Sequence, residues 1–78
     1  MKTTQYFESI RTRPDRAIIR PEWIKYVIDN PIREIIQGDG RYRRWAQIEE
    51  MENRYLRGIL HEDGETVHNA FFDRGFKP

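Results

Sequence analysis

Residues 32–61 read IREIIQGDGRYRRWAQIEEMENRYLRGILH, and this stretch decides the fold. Its side chains follow a period of two, the spacing of a strand with two unlike faces. Ile32 to Gln37 reads as a first strand. Gly38, Asp39 and Gly40 supply the Asp-Gly chemistry of a tight hairpin turn. Arg41 to Ile48 is the second strand, residues 49–53 (EEMEN) a polar loop, and Arg54 to His61 the third strand. Glu62, Asp63 and Gly64 give another hairpin turn. Glu65 to Asp73 forms the fourth strand, and Arg74 to Pro78 trails as a tail. Short connections of this kind place consecutive strands side by side, so the expectation is a four-stranded antiparallel meander.

Upstream of the strands the period lengthens. Tyr6, Phe7 and Ile10 share one side of a short helix over residues 4–12, which Thr12, Arg13 and Pro14 interrupt. Residues 15–19 (DRAII) fit a turn or an extended link that carries Ile18 and Ile19 inward. A second helix spans 21–29. Pro21 suits its first position, Glu22 favours the positive end of its dipole, and Trp23, Ile24, Val27 and Ile28 form one apolar stripe. Asp29, Asn30 and Pro31 end it. The fold expected is α+β, two N-terminal helices covering one face of the meander.

The chain has 78 residues, enough for one domain with a thin core. It has no cysteine, so disulfides and thiolate metal sites are excluded, and two histidines, His61 and His68, are too few for a zinc site. No cofactor or metal is expected. A homodimer or a bound partner protein is the remaining route to extra stability. Residues 1–10 lack the apolar run of a signal peptide, and no segment is apolar for long enough to span a bilayer. A soluble, cytoplasmic protein with no membrane partner is expected.

Fourteen basic residues against 13 acidic ones leave a net charge of +1, which argues against a generic polycationic nucleic-acid binder. The distribution is more informative. Arginine supplies most of the positive charge, and its planar fork suits phosphate, carboxylate and stacking contacts. On the second strand Arg41, Arg43, Trp45 and Gln47 share one face. Two arginines beside a tryptophan fit a nucleic-acid surface, with guanidinium on phosphate and indole on a base. Taken by themselves, the residues fit better a partly buried tryptophan flanked by ion pairs with Glu34, Glu49 or Glu50, since buried tryptophans are common and charge runs usually face water. On the third strand Leu56, Gly58 and Leu60 should meet the helices. Arg57 then points to the open face, where a charge between apolar residues needs a buried partner or a ligand. The fourth strand has Phe71 on one face and Phe72 on the other, so alternation does not say which is inward. His68 has the pKa for proton transfer near neutrality, or else simply bonds a backbone carbonyl. Asp73 beside Arg74 reads as the closing pair of the strand.

The succession RPDRAI, EWI–YVI–NP, DGR–RRWA, RYLR and ETVHNAFFDR, from about Tyr6 to Phe76, resembles a group of small uncharacterised bacterial proteins frequent in cyanobacteria. That group is similar to BrnT-like and RelE-like toxins in length and in element order. The resemblance implies the toxin of a type II toxin–antitoxin pair, a metal-independent endoribonuclease acting on RNA, often on the ribosome, with a small antitoxin as partner. It implies phosphate charge from Arg43, Arg57 and Arg74, stacking by Trp45 and proton transfer by His68. His68 and Arg57 are thus the expected catalytic residues, and Arg41, by its place on the second strand, joins Arg43, Trp45 and Arg74 as an expected RNA contact. Two features depart from that pattern: the near-neutral charge and the short C-terminal tail. A non-enzymatic protein- or RNA-binding module is the alternative expectation.

Overall fold

The computed structural model describes residues 1–78 and is an α+β fold. Three short helices, α1 (Gln5–Ile10), α2 (Pro14–Ala17) and α3 (Pro21–Asp29), precede strands β1 (Arg33–Ile36), β2 (Tyr42–Ile48), β3 (Arg54–Leu60) and β4 (Val67–Phe72). The strands form one antiparallel sheet in the order β1-β2-β3-β4. The meander is therefore as the alternation predicts. The helical part differs by one element: Pro14–Ala17 closes a single helical turn, with Pro14 at its start, where the sequence allowed only a turn or a link. Four residues carry no helical periodicity, and that turn was invisible to it.

Each helix starts for a local reason. Thr4 caps α1, its hydroxyl accepting from Phe7 N at 3.1 Å. Pro21 opens α3 without wasting a donor. At the other end of α3, Arg44 donates from Nη1 to the carbonyl of Ile28 at 3.2 Å and to that of Gly64 at 3.3 Å. It satisfies a helix-end carbonyl while its Nε pairs with Glu34. Arg44 shares the helix-side face of β2, and this role explains how a charge sits there.

The helices cover one sheet face only. Phe7, Ile10, Trp23, Ile24 and Val27 pack against Ala46, Ile48, Leu56, Leu60, Val67 and Ala70. Val27, Leu56, Leu60 and Val67 are fully buried. Burying such side chains stabilises the fold by roughly 1.5–3 kcal/mol each.

A β-bulge settles the orientation of β4. Ile59 pairs with Asn69, but Leu60 pairs with Val67, so His68 is the extra residue opposed by nothing. Val67, Ala70 and Phe72 consequently face the helices, while Asn69 and Phe71 face the open side. Strict alternation had put His68 with Ala70 and Phe72; the bulge removes it from that set.

No helix is long and apolar enough to cross a membrane.

Candidate nucleic-acid interface

The open face carries Arg33 and Ile35 from β1, Arg43 and Trp45 from β2, Tyr55, Arg57 and Ile59 from β3, and Asn69 and Phe71 from β4. No helix lies over it. It divides into two clusters, one at each end.

At one end stands Trp45. It is only 4% exposed, yet it lies outside the helix-side core. Its cover is the C-terminal tail: Phe76 stacks on it with ring centroids 4.9 Å apart and planes inclined by 19°. The tail folds back because Asp73 makes a turn, its Oδ1 accepting from Gly75 N at 3.0 Å. The other carboxylate oxygen accepts from Trp45 Nε1 at 3.0 Å and from Arg57 Nη1 at 3.5 Å. Arg57 is packed between rings, its Cζ 5.4 Å from the Trp45 centroid and 5.2 Å from that of Phe71. The hydrogen bond from Trp45 is the largest cause that lowers the Asp73 pKa, with help from Gly75 N and Arg57 against burial. Arg57 Nε is buried without a partner.

The expectation for this end is thereby corrected in part. Arg57 does face the open side, but it has a carboxylate partner. Trp45 presents no free ring to a base, because Phe76 occupies its face. Asp73 does more than close the strand: it joins Trp45, Arg57 and the tail. The sequence signal for this was the Asp73–Arg74–Gly75–Phe76 order, a turn-former placing an aromatic residue back over the sheet.

At the other end stands His68. Its Nδ1 lies 3.2 Å from Thr4 Oγ1, its ring stacks on Tyr6 at 4.9 Å, and His61 is 5.3 Å away. Burial, the charge of Arg41 and then His61 push the His68 pKa below its ordinary value, while Asp39 opposes them. His68 therefore stays neutral at pH 7. Tyr6 is 47% exposed and is the accessible aromatic ring of this end. His61, which the sequence placed only at the end of the third strand, and Tyr6, read as a helix residue, are the side chains sequence reasoning missed here. The β-bulge brings them to His68.

Arg57 and His61 are four residues apart on one strand, about 13 Å. The structure thus places Arg57 and His68 in separate clusters. Arg41 joins the histidine end, where its Nη1 lies 3.6 Å from Asp39. Arg43 lies between the ends, with Nε donating to Gln37 at 2.7 Å. Arg74 lies at the rim, on a groove shared with Asp15, Arg16, Arg54, Phe71 and Phe72. Arg33, Arg43, Arg54 and Arg74 form no ion pair with a carboxylate. Glu22, Glu49 and Glu50 line a groove with Trp23 and Tyr26, on the α3 side. No group of three metal-ligating side chains gathers anywhere.

Comparison with family models, with curated proteins and with solved structures returned no match.

Proposed function

We propose that this chain acts on RNA in the manner of a RelE- or BrnT-like toxin, with the open sheet face as its contact surface. The observation that supports this reading is the free positive charge of that surface. Arg33 and Arg43 lie on it, and Arg74 at its rim, without carboxylate partners. Of the carboxylates named at the open face, Asp73 is taken by Trp45 and Arg57 and Asp39 by Arg41. Arg33 and Arg43 bond only neutral groups, the Lys77 carbonyl and Gln37, so their charge stays available to a phosphate backbone, which would displace counterions on binding.

The histidine end supplies the groups for cleavage. In this reading the neutral imidazole of His68 takes the proton of a ribose 2′-OH, and that oxygen attacks the adjacent phosphorus. The P–O5′ bond breaks, leaving a 2′,3′-cyclic phosphate, and the second histidine, His61, must carry the proton that the leaving oxygen receives. Arg41 offers charge to the pentavalent phosphate. Tyr6 offers an exposed ring to a neighbouring base. The stacking role thus passes from Trp45 to Tyr6, and Arg57 becomes a residue that holds the surface together.

A non-enzymatic binding module is the second reading, and one observation favours it: His68 Nδ1 is engaged by Thr4 and its ring by Tyr6, as in a structural histidine. Induced expression in a bacterial host separates the two. The toxin reading expects growth arrest by the wild type, relief by His61→Ala with His68→Gln, and no RNA cleavage by that variant despite retained RNA binding. Soluble wild-type protein that neither arrests growth nor cleaves RNA, yet binds it, leaves the binding module. Absence of any RNA binding removes both.

A further inference from the structure

The two edges of the sheet are not alike. The β4 edge is already occupied: Val67 donates to the carbonyl of Lys2 at 2.9 Å and accepts from Thr4 N at 3.0 Å, and Thr3 bridges Val67 in parallel. The β1 edge carries no such cover, and all four of its residues are exposed. Ile32 is 56% exposed, Ile35 45% and Ile36 63%. Edge strands are guarded by short length, charged side chains, proline or a bulge. This four-residue edge has no lysine, proline or bulge, and its two charges are held within the chain, Arg33 by the Lys77 carbonyl and Glu34 by Arg44.

The hydrogen-bond parity of the sheet fixes which backbone groups are free. Asp73 N donates to Tyr55 O, so the odd-numbered residues of β3 direct their backbone groups to β4 and the even-numbered ones to β2. Across the β2–β3 register, even-numbered residues of β2 then face β3 and odd-numbered ones face β1. Arg43 and Trp45 accordingly meet Ile35 and Arg33, and Gln37 N donates to Arg41 O at 2.7 Å. Glu34 and Ile36 are left with N–H and C=O pointing outward.

We propose that the β1 edge is an interface between two copies of this chain, paired antiparallel about a twofold axis through Ile35. In this register Glu34 of one copy exchanges backbone hydrogen bonds with Ile36 of the other, and the reverse. Ile35 lies opposite its own counterpart as a non-hydrogen-bonded pair, with Cα atoms about 4.5 Å apart. Arg33 lies opposite Gln37. No like charges oppose one another, and Glu34, whose charge Arg44 holds, faces an isoleucine. Because Ile35 meets Ile35, the open faces of both copies lie on the same side of an eight-stranded sheet. The contact is small against the roughly 1,200–2,000 Å² of a standard stable complex, so association depends on concentration.

Sedimentation from micromolar to millimolar concentration, with two cysteine variants of this cysteine-free chain, tests the interface and its register. A pair of Cα atoms about 4.5 Å apart is within disulfide reach. The wild type is expected to pass from monomer to dimer. Ile35→Cys is expected to cross-link completely under mild oxidation, and Ile36→Cys poorly. Ile36→Pro removes an N–H that β2 does not use, so it is expected to give a folded monomer at every concentration. A wild type that stays monomeric, a dimer that survives Ile36→Pro, or cross-linking that favours Ile36→Cys over Ile35→Cys would overturn the proposal. Should Ile36→Pro not fold, the cysteine pair decides alone.

Discussion

Trp45 and Asp73 are joined by a 3.0 Å hydrogen bond from the indole N–H to a carboxylate oxygen, on the sheet face that no helix covers. The same carboxylate neutralises Arg57, and its residue turns the tail so that Phe76 roofs the indole. One side chain thus converts a strand of arginine and tryptophan into a packed cluster, while leaving Arg33 and Arg43 unpaired beside it.

Asp73→Ala is expected to destabilise the protein by about 2–4 kcal/mol, since it leaves a buried indole N–H and a poorly exposed guanidinium without their acceptor. Asp73→Asn keeps an acceptor for Trp45 and loses only the charge, so it should cost less. Denaturant unfolding of the two variants checks the order. Equal losses would show that the hydrogen bond to Trp45 contributes nothing.

Phe76→Ala removes the roof over Trp45. In a Trp23→Phe background the remaining indole fluorescence should shift to the red, and stability should fall by about 1–3 kcal/mol through lost stacking and burial. An unshifted spectrum would mean that the tail does not cover the indole in solution.

Asp63 is the acceptor of the β3–β4 turn. Its carboxylate receives the Thr66 hydroxyl, then Thr66 N and Glu65 N, and these bonds hold its pKa at about 2. The folded value is depressed, so its stabilising contribution is full above the unfolded value, near 3.9, and is lost as pH falls through the folded one. Carboxyl NMR titration should give a midpoint near 2. Asp63→Asn should abolish this part of the acid dependence of unfolding.

His68 gives the opposite kind of group with the same sign. Its folded pKa lies below its ordinary value, so the unfolded chain binds the proton first. Stability should therefore begin to fall as pH drops below about 6.5 and continue to fall down to the folded pKa. Imidazole NMR should show a His68 midpoint under the ordinary histidine value. A midpoint above it would mean that the charge of Arg41 and the burial do not act on this ring.

Much of the fold was legible because local chemistry and global position agree. The Asp-Gly turns at Asp39 and Asp63 and the alternation through β2 and β3 all require the same meander, and Pro21 with the stripe Trp23, Ile24, Val27 requires α3. The inward face of β4 was not legible, since Phe71 and Phe72 are neighbours and only the bulge at His68 assigns them. Less of the candidate site was legible. Arg43 and Arg57 reach the open face as alternation demands. The burial of Trp45 depends on Phe76, which lies 31 residues away in sequence and arrives through a turn rather than through strand pairing. The His61–His68–Tyr6 cluster depends on the same bulge and on where α1 docks, neither of which has a local signature.

The most direct test of the account is the affinity for single-stranded RNA measured against salt, for the wild type and for Arg33→Gln with Arg43→Gln. Arg33 bonds the Lys77 carbonyl and lies over the Phe76 ring, and Arg43 bonds Gln37, so denaturant unfolding of the variant is measured alongside and must show a folded protein. The account predicts that the wild type binds with a salt-dependent affinity, and that the double variant binds more weakly with a shallower salt slope, by about two phosphate contacts. Equal affinity and equal slope for the two proteins would place the RNA elsewhere or nowhere, and would contradict the assignment of the open face.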